Sequence, residues 1–583
     1  MRRHTQSSER PLNAHFFILL SLCLSASLSC DDTSSVSPEG GVNSGGELAG
    51  EVAGAQGGAA AGSAGGALAG LSAGGQGGDV ESGREAGLSA GLSAGLSAGL
   101  SAGDMGGGAG VEPPPQSAED IALDGLDEGL FGDFDRAPLA EGAEGCDQLS
   151  FLYPESGTVI PANLFGFSFQ WAERGRGPYL ITARSGGRVV RWLTSQAQLT
   201  PEGTTWELIK RGAAGEPIEW TLSTLSAERR CVSPITELEV DPSELSGAVY
   251  YWSTGDMGIM RLAAGEREPE PLLTPAVSPE LNCPACHALS RDGQRIAFTR
   301  TTFPPFGDLS VSNIATPRAL LYDPMGVEGY FPSFSPNASY LVAGSSGRVI
   351  MRDSNSGAEL NQLTLPPNTV GGIPDWSWQG DRITAVVGPS GLLNFLPNEG
   401  INSGSIYEWV RVNGERGEPG LDPSDWGEPQ LLVPQEGELS NDRPAYDPTG
   451  RLIAFNKEGS DPSAGEGMGN RAVSLWVIPV GVEGAAPVEL SRANKAELQG
   501  NSWPKWAPSD QRGRLWLAFS SFRDYGHVLP DNPNTTRRPQ IWVTAIDPNA
   551  PQGQDPSAPA FWLPFQDVNS GNHIPYWAAY EKR

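Results

Sequence analysis

The chain has 583 residues, 39 Lys plus Arg against 69 Asp plus Glu, and a formal net charge of -30. That balance excludes nucleic-acid binding, which needs clustered cations to neutralise phosphate, and it disfavours adsorption to an anionic membrane surface. Length allows two or three domains, but Gly (75) and Pro (49) are abundant, and much of the Gly falls in the first fifth, which cannot build a core.

Arg2, Arg3 and Arg10 give a positive start, Phe16 to Leu24 is a short apolar run, and small residues follow up to Ser29. The run is too short to span a bilayer, so residues 1–30 read as an export signal peptide. Cys30 ends the small-residue run and polar sequence follows it, which resembles a bacterial lipoprotein signal, where this Cys becomes the lipidated first residue. Ser27 and Leu28 depart from the usual residues of that signal, and ordinary cleavage near Ser29 is the alternative. The resemblance implies a protein anchored in the cell envelope, periplasmic or surface-exposed, that meets the membrane through its lipid alone.

Residues 31–145 read as a tether. They include four tandem Ala-Gly-Leu-Ser units from Ala86 to Ser101. Each unit carries a Gly, which costs about 1 kcal/mol relative to Ala in a helix, so a flexible coil spanning on the order of 60 Å is expected. The acidic stretch from Glu112 to Glu144 is expected to continue the linker.

The first folded domain is expected over 146–240 as a small antiparallel β-sandwich. Phe165, Phe167, Phe169 and Trp171 alternate with small or polar residues at the period of a strand. Tyr179–Ala183, Arg188–Thr194, Thr205–Lys210 and Ile218–Ser223 are further strand candidates between turn-rich stretches. The run from Leu152-Tyr153-Pro154 to Phe169-Gln170-Trp171 resembles the entry of an immunoglobulin-like or fibronectin-like module. Cys146 and Cys231 flank the domain and are expected to pair in an oxidising compartment, with two buried free thiols as the alternative.

From about residue 245 a phrase repeats: a turn followed by a strand ending in Ala-Phe or its equivalent. It opens at His287, Pro332, Pro374, Pro444 and Pro504, and a truncated copy at Pro575 ends the chain. The copy at His287 reads His-Ala-Leu-Ser-Arg-Asp-Gly-Gln-Arg-Ile-Ala-Phe, and that at Pro444 reads Pro-Ala-Tyr-Asp-Pro-Thr-Gly-Arg-Leu-Ile-Ala-Phe. These copies resemble the blades of TolB-like propellers, a WD-repeat-like family, over residues 245–583. The resemblance implies an all-β chain in which the sandwich precedes a propeller. Six blades are expected, with seven as the alternative. The truncated copy implies that the C-terminal strand completes a blade begun near Val249-Tyr250-Tyr251-Trp252. Longer intervals imply insertions around Leu392–Leu432 and Asp461–Gly467.

One motif carries specific chemistry. Cys283-Pro284-Ala285-Cys286-His287 is C-x-x-C-H, the attachment sequence of c-type haem, whose two thiols add to the vinyl groups while the His ligates iron. His287 stands where the other copies carry Pro, which places the motif near one mouth of the central channel. A disulfide or a chance string is the alternative. His573, two residues before Pro575, is the first candidate for a second iron ligand, with Met257 and Met260 as alternatives and His527 ranked lower. Asp292, Asp381 and Asp447 occupy turn positions that favour Asp for backbone hydrogen bonding. Trp376, Trp378, Trp503, Trp506 and Trp577 recur near one blade position and read first as inter-blade packing.

G-x-S-x-G occurs only as Gly-Leu-Ser-Ala-Gly within the low-complexity tract, as at Gly87–Gly91, and no Walker, H-E-x-x-H or EF-hand pattern occurs, so an enzyme is not expected. Two readings follow. The chain is a tethered binding scaffold for another envelope protein or a glycan, or it is an electron-transfer or redox-sensing protein with one haem c. Fold alone does not choose between them.

Overall fold

The computed structural model describes residues 119–140, 149–172, 177–213, 215–226, 229–281, 284–300, 307–317, 319–390, 403–414, 422–459, 473–495, 500–508, 513–529 and 538–580. Residues 1–118, and with them Cys30, therefore lie outside the described residues, as do Cys146 and Cys283.

The folded chain begins earlier than the sequence reading placed it. Glu119–Ala122 is a strand and Gly129–Arg136 a helix, both inside the expected linker. Phe131 and Phe134, three apart and so on one helix face, are buried against Leu180 and Leu193. Asp120 and Asp135 each accept from the Arg191 guanidinium at 2.7 Å. Two aromatic anchors outweigh an acidic, linker-like composition.

The strand Glu119–Ala122 edges a seven-stranded sheet whose order continues through Arg188–Thr194, Tyr179–Ser185, Ile218–Ser226, Thr236–Asp241 and Thr158–Pro161. Arg229–Val232 pairs off this path with Ile218–Ser226. The central pairs are antiparallel. Both edge pairs are parallel, which corrects the wholly antiparallel immunoglobulin-like expectation. A three-stranded sheet of Phe151–Tyr153, Phe169–Trp171 and Gln198–Leu199 makes the second layer. Phe169 stacks on Trp220 at 3.9 Å and Trp171 meets Tyr179 at 5.5 Å.

Thr205–Lys210, expected as a strand, lies in the helix Gly203–Gly212. Strand alternation would put Trp206 and Leu208 on one face. Instead Trp206 and Ile209 are buried and Leu208 is 37% exposed, which is helical spacing. Of the alternating aromatic run only Phe169–Trp171 is a strand. Phe165 and Phe167 turn to the C-terminal domain, against Phe565 at 5.2 Å and Phe561 at 6.5 Å. Tyr153 Oη accepts from the Trp562 backbone N–H at 3.1 Å, so the two domains share one core. Cys231 is buried and disulfide-bonded, while Cys146, its expected partner, lies outside the described residues.

From Ala248 onward the described residues form six small antiparallel sheets. Blade 1 holds Ala248–Ser253, Gly258–Ala263 and Glu270–Leu273, with the C-terminal Asn572–Ala578 as its innermost strand. Blade 2 begins with Pro284–Leu289, blade 3 with Tyr330–Phe334 and blade 4 with Thr369–Trp376. Blade 5 begins with Leu439–Tyr446 and blade 6 with Ser502–Trp506. Each innermost strand touches that of the next blade, and the cycle closes between Pro284–Leu289 and Asn572–Ala578. The C-terminal domain is a β-propeller. The stretch 392–432, expected as an insertion, contains blade 4's own outer strands Ser405–Val410 and Gln430–Val433, so the extra length sits in the connections. Asp461–Gly467 lies outside the described residues.

Closure depends on close backbone approach. Gly247 (φ +78°) and Gly293 (φ +66°) abut the carbonyls of Ala578 and Ala579, so a Cβ at either would overlap the closing strand. Gly293→Ala is expected to lower stability by about 1–3 kcal/mol, through strain and steric overlap together. Gly265→Ala, at φ +86° but in open space, is expected to cost less. Chemical denaturation of the two variants checks the difference.

Candidate functional site

Every innermost strand carries one β-bulge, and at each bulge one residue has positive φ. From blade 1 to blade 6 these are Ile574 (+53°), Cys286 (+46°), Phe331 (+46°), Ile373 (+49°), Arg443 (+51°) and Trp503 (+59°). None is Gly, and a left-handed β-branched residue such as Ile373 is a steric outlier that costs of order 1–3 kcal/mol. The next residue is Pro in five blades and His287 in blade 2. Pro is confined in sheets to edges and bulges, and this position is both.

A bulge re-aims the side chains around it. Phe331 and Trp503, from opposite blades, meet with ring centroids 5.1 Å apart, and Arg443 lies over Trp503 at 4.3 Å. Arg443 is held by Asp442 at 2.9 Å and by Glu458. Together they form a cluster at the innermost strands in which Trp503 (8% exposed) and Arg443 (4%) are buried. The connections leaving Pro389, Gly459 and Ser521 depart from the end at which the innermost strands begin.

His287 and His573 are brought together at the joint of blades 1 and 2, and both are 4% exposed. His287 Nε2 lies 3.4 Å from the Tyr250 carbonyl oxygen, while His287 Nδ1 and both ring nitrogens of His573 have no partner among the described residues. The Trp252 ring packs 5.0 Å from that of His573. Burial holds His287 down at about 4, with Lys505 opposing its protonation further. Burial likewise holds His573 down at about 3, and His287 adds to the effect. Both rings are neutral imidazoles near neutral pH.

Cys286 goes the other way. Its sulfur lies between the Phe331 backbone and the Thr299 hydroxyl, at the joint of blades 2 and 3, and burial pushes the thiol up to about 12. A covalent haem needs Cys286 and His287 on one face of a porphyrin. The imidazole pair suits metal ligation, but the strand at Pro284–Leu289 sends Cys286 and His287 to opposite joints. As placed, the thiol does not fit that group, and Cys283 lies outside the described residues.

The remaining candidates are structural or peripheral. Met260 is buried in the shared core, Met257 is half-buried in the turn before it, and His527 is exposed. Asp292 accepts from the Gln294 N–H, and Asp447 accepts from those of Thr449 and Arg451, as turn residues do. Trp378 and Trp506 donate across blade joints to the carbonyls of Tyr446 and Ala445. Trp503 is also buried, packed against Phe331 and beneath Arg443. Phe331, Arg443 and Lys505 were not singled out by sequence reasoning. The signal was their fixed offset from the repeated Pro.

No family model matches the sequence, and no curated protein matches it. Among solved structures the chain is similar to TolB from Acinetobacter baumannii (13% identity, TM-score 0.37, covering 80% of this chain and 98% of that one). It is also similar to a TolB from Agrobacterium tumefaciens (14%, TM-score 0.29, 54% and 90%). A third is dihydro-haem d1 dehydrogenase NirN in complex with DHE (12%, TM-score 0.29, 55% and 56%). These likenesses are remote, and the propeller assignment rests on the strand pairing and the closed ring.

The two histidines link the site to pH. Unfolded, each ring takes up a proton as pH falls below about 6.5; folded, they resist until about 4 and 3. Stability that is complete above pH 6.5 is therefore lost as pH falls through that window. His573→Leu is expected to flatten the decline, which denaturant midpoints measured across the pH range will show.

Proposed function

We propose that the chain is an exported envelope protein, lipid-anchored through Cys30, whose propeller acts by binding another envelope protein at the end of the ring beside Phe331, Trp503 and Arg443. The supporting observation is that three long connections leave the ring at the end where the innermost strands begin, beside a cluster of Phe331, Trp503 and Arg443 that is buried in the absence of a partner. Trp, Tyr and Arg dominate the energetics of protein interfaces. An aromatic cluster also accommodates a glycan, which is the other class of partner to be tested. The tether expected from the sequence would carry this end of the ring away from the membrane. No enzymatic step is proposed. The described thiol beside a His is protonated and turned away from it, which leaves no activated nucleophile there.

Immobilised protein is expected to capture a defined set of envelope proteins that Trp503→Ala loses by tenfold or more. Equal capture by both would remove this end of the ring from the argument, and binding to glycans alone would reassign the partner. Lipid labelling of the full chain in cells is expected to vanish in Cys30→Ala.

A redox protein with covalent haem is the second reading, favoured by the unpartnered imidazole nitrogens of His287 and His573. It requires Cys286 to leave the Thr299–Phe331 joint. The binding reading expects colourless protein from a host competent in cytochrome c maturation. A haem band in alkaline pyridine that persists through denaturation, and is lost in Cys283→Ala/Cys286→Ala, would establish the redox reading instead.

A further inference from the structure

A half-open cleft lies where the first domain meets the joint that closes the ring. Its walls are the turn Asn163–Phe165, Val249 and Leu262 of blade 1, Leu563–Phe565 just after the outer strand of blade 6, and Trp577 of the closing strand. These walls are held by hydrogen bonds that consume their polar groups. Asn163 Nδ2 donates to the Leu245 carbonyl oxygen and its Oδ1 accepts from the Leu245 N–H, both at 2.9 Å. Lys210 Nζ and Trp206 Nε1 donate to the Leu164 carbonyl oxygen at 2.9 and 3.3 Å. Trp577 Nε1 donates to the Ser246 carbonyl oxygen at 2.9 Å. The cleft is therefore preformed, at a domain interface, as small-molecule sites commonly are.

One wall residue is strained. Phe565 has φ +69°, an outlier for a bulky side chain, and it stays half-buried although it is an aromatic. Its ring lies 5.2 Å from that of Phe165 and presses on Gly166, where a Cβ would come within 2.3 Å of Phe565 Cζ. The exposed Ala264–Gly265 turn also lines the cleft, and a Cβ at Gly265 would meet nothing, so open space lies at this rim.

The chemistry of the walls selects the occupant. A trapped water needs two to four polar partners, but the side-chain groups of Asn163 and Trp577 are already satisfied and the other lining side chains, Glu266 at the rim apart, are apolar. An uncharged apolar group gains by leaving water for such a space, whereas a charged or hydrogen-bonding group loses partners there. Size narrows the choice further. The centre of a water molecule can move through about 40 Å³ of the cleft, which corresponds to roughly three waters and so to the bulk of a single aromatic ring.

We propose that this cleft binds a small, uncharged lipophilic molecule through one compact apolar group of aromatic-ring size. The occupant touches the first domain, the first blade and the end of the last, so it fastens that domain to the ring at its closure. None of the lining residues belongs to the cluster of Phe331, Trp503 and Arg443, so the site does not depend on the partner proposed there.

The test titrates the full chain with toluene and with benzoate, which carries the same ring and a charge. Toluene is expected to bind saturably and to raise the thermal midpoint with concentration, and benzoate to bind at least tenfold more weakly. Ala264→Trp, at an exposed rim position, is expected to weaken toluene binding tenfold or more. Xenon-pressurised crystals locate the site independently of any variant, with density expected among Val249, Leu262 and Phe565. No saturable toluene binding by folded wild type, equal binding of benzoate, or xenon density only elsewhere overturns the proposal.

Discussion

The propeller depends on one set of backbone hydrogen bonds, those between Asn572–Ala578 and Ala248–Ser253. The strand at the end of the chain completes the blade at its beginning, joining parts of the domain more than 300 residues apart in sequence. An open ring would leave a hydrophobic sheet edge at each end, and such edges template aggregation. Closure instead buries Tyr250, Ile259 and Ala578 in a core continuous with Leu289 and Phe298 of the second blade. The tight approach explains Gly247 and Gly293, where the closing strand's carbonyls occupy the space a side chain would need.

Closing six twisted sheets around one axis also bends every innermost strand. Each bends at a bulge with a residue in the left-handed region, at a site where only one is preceded by Gly. Such strain persists only where surrounding structure over-determines it, here through packing between neighbouring innermost strands. The consequence for chemistry is directional. Bulging packs Phe331, Trp503 and Arg443 into a common cluster, and in blade 2 it separates Cys286 from His287 across two joints. A motif of adjacent residues thus becomes two environments, one of a buried thiol and one of a neutral imidazole pair.

The charge distribution follows the same geometry. Acidic residues are spread through the chain, and buried cations of the innermost strands meet carboxylates, Lys505 at 3.8 Å from Asp375 and Arg443 at 2.9 Å from Asp442. In a low-dielectric interior such pairs weigh far more than on the surface. Net charge therefore bears on solubility and nucleic-acid binding, but not on these local pairs.

The repeated phrase made the propeller legible from sequence. Its opening residue and the aliphatic residue nine positions on (Ile296, Leu341, Ile383, Ile453) recur at a fixed offset because each blade solves the same backbone problem, an edge bulge followed by a tight hairpin. The truncated copy at Pro575 likewise announced the closing strand. What local pattern could not supply was decided by packing. Thr205–Lys210 alternates like a strand, yet burying Trp206 with Ile209 favours a helix. Residues 119–136 look like linker until Phe131 and Phe134 find Leu180 and Leu193. The motif at Cys283–His287 specifies a spacing along the chain, whereas the side-chain directions that a haem or any other ligand would meet depend on strand, bulge and neighbouring blades. Spacing is a property of sequence; convergence in space is a property of the closed ring alone.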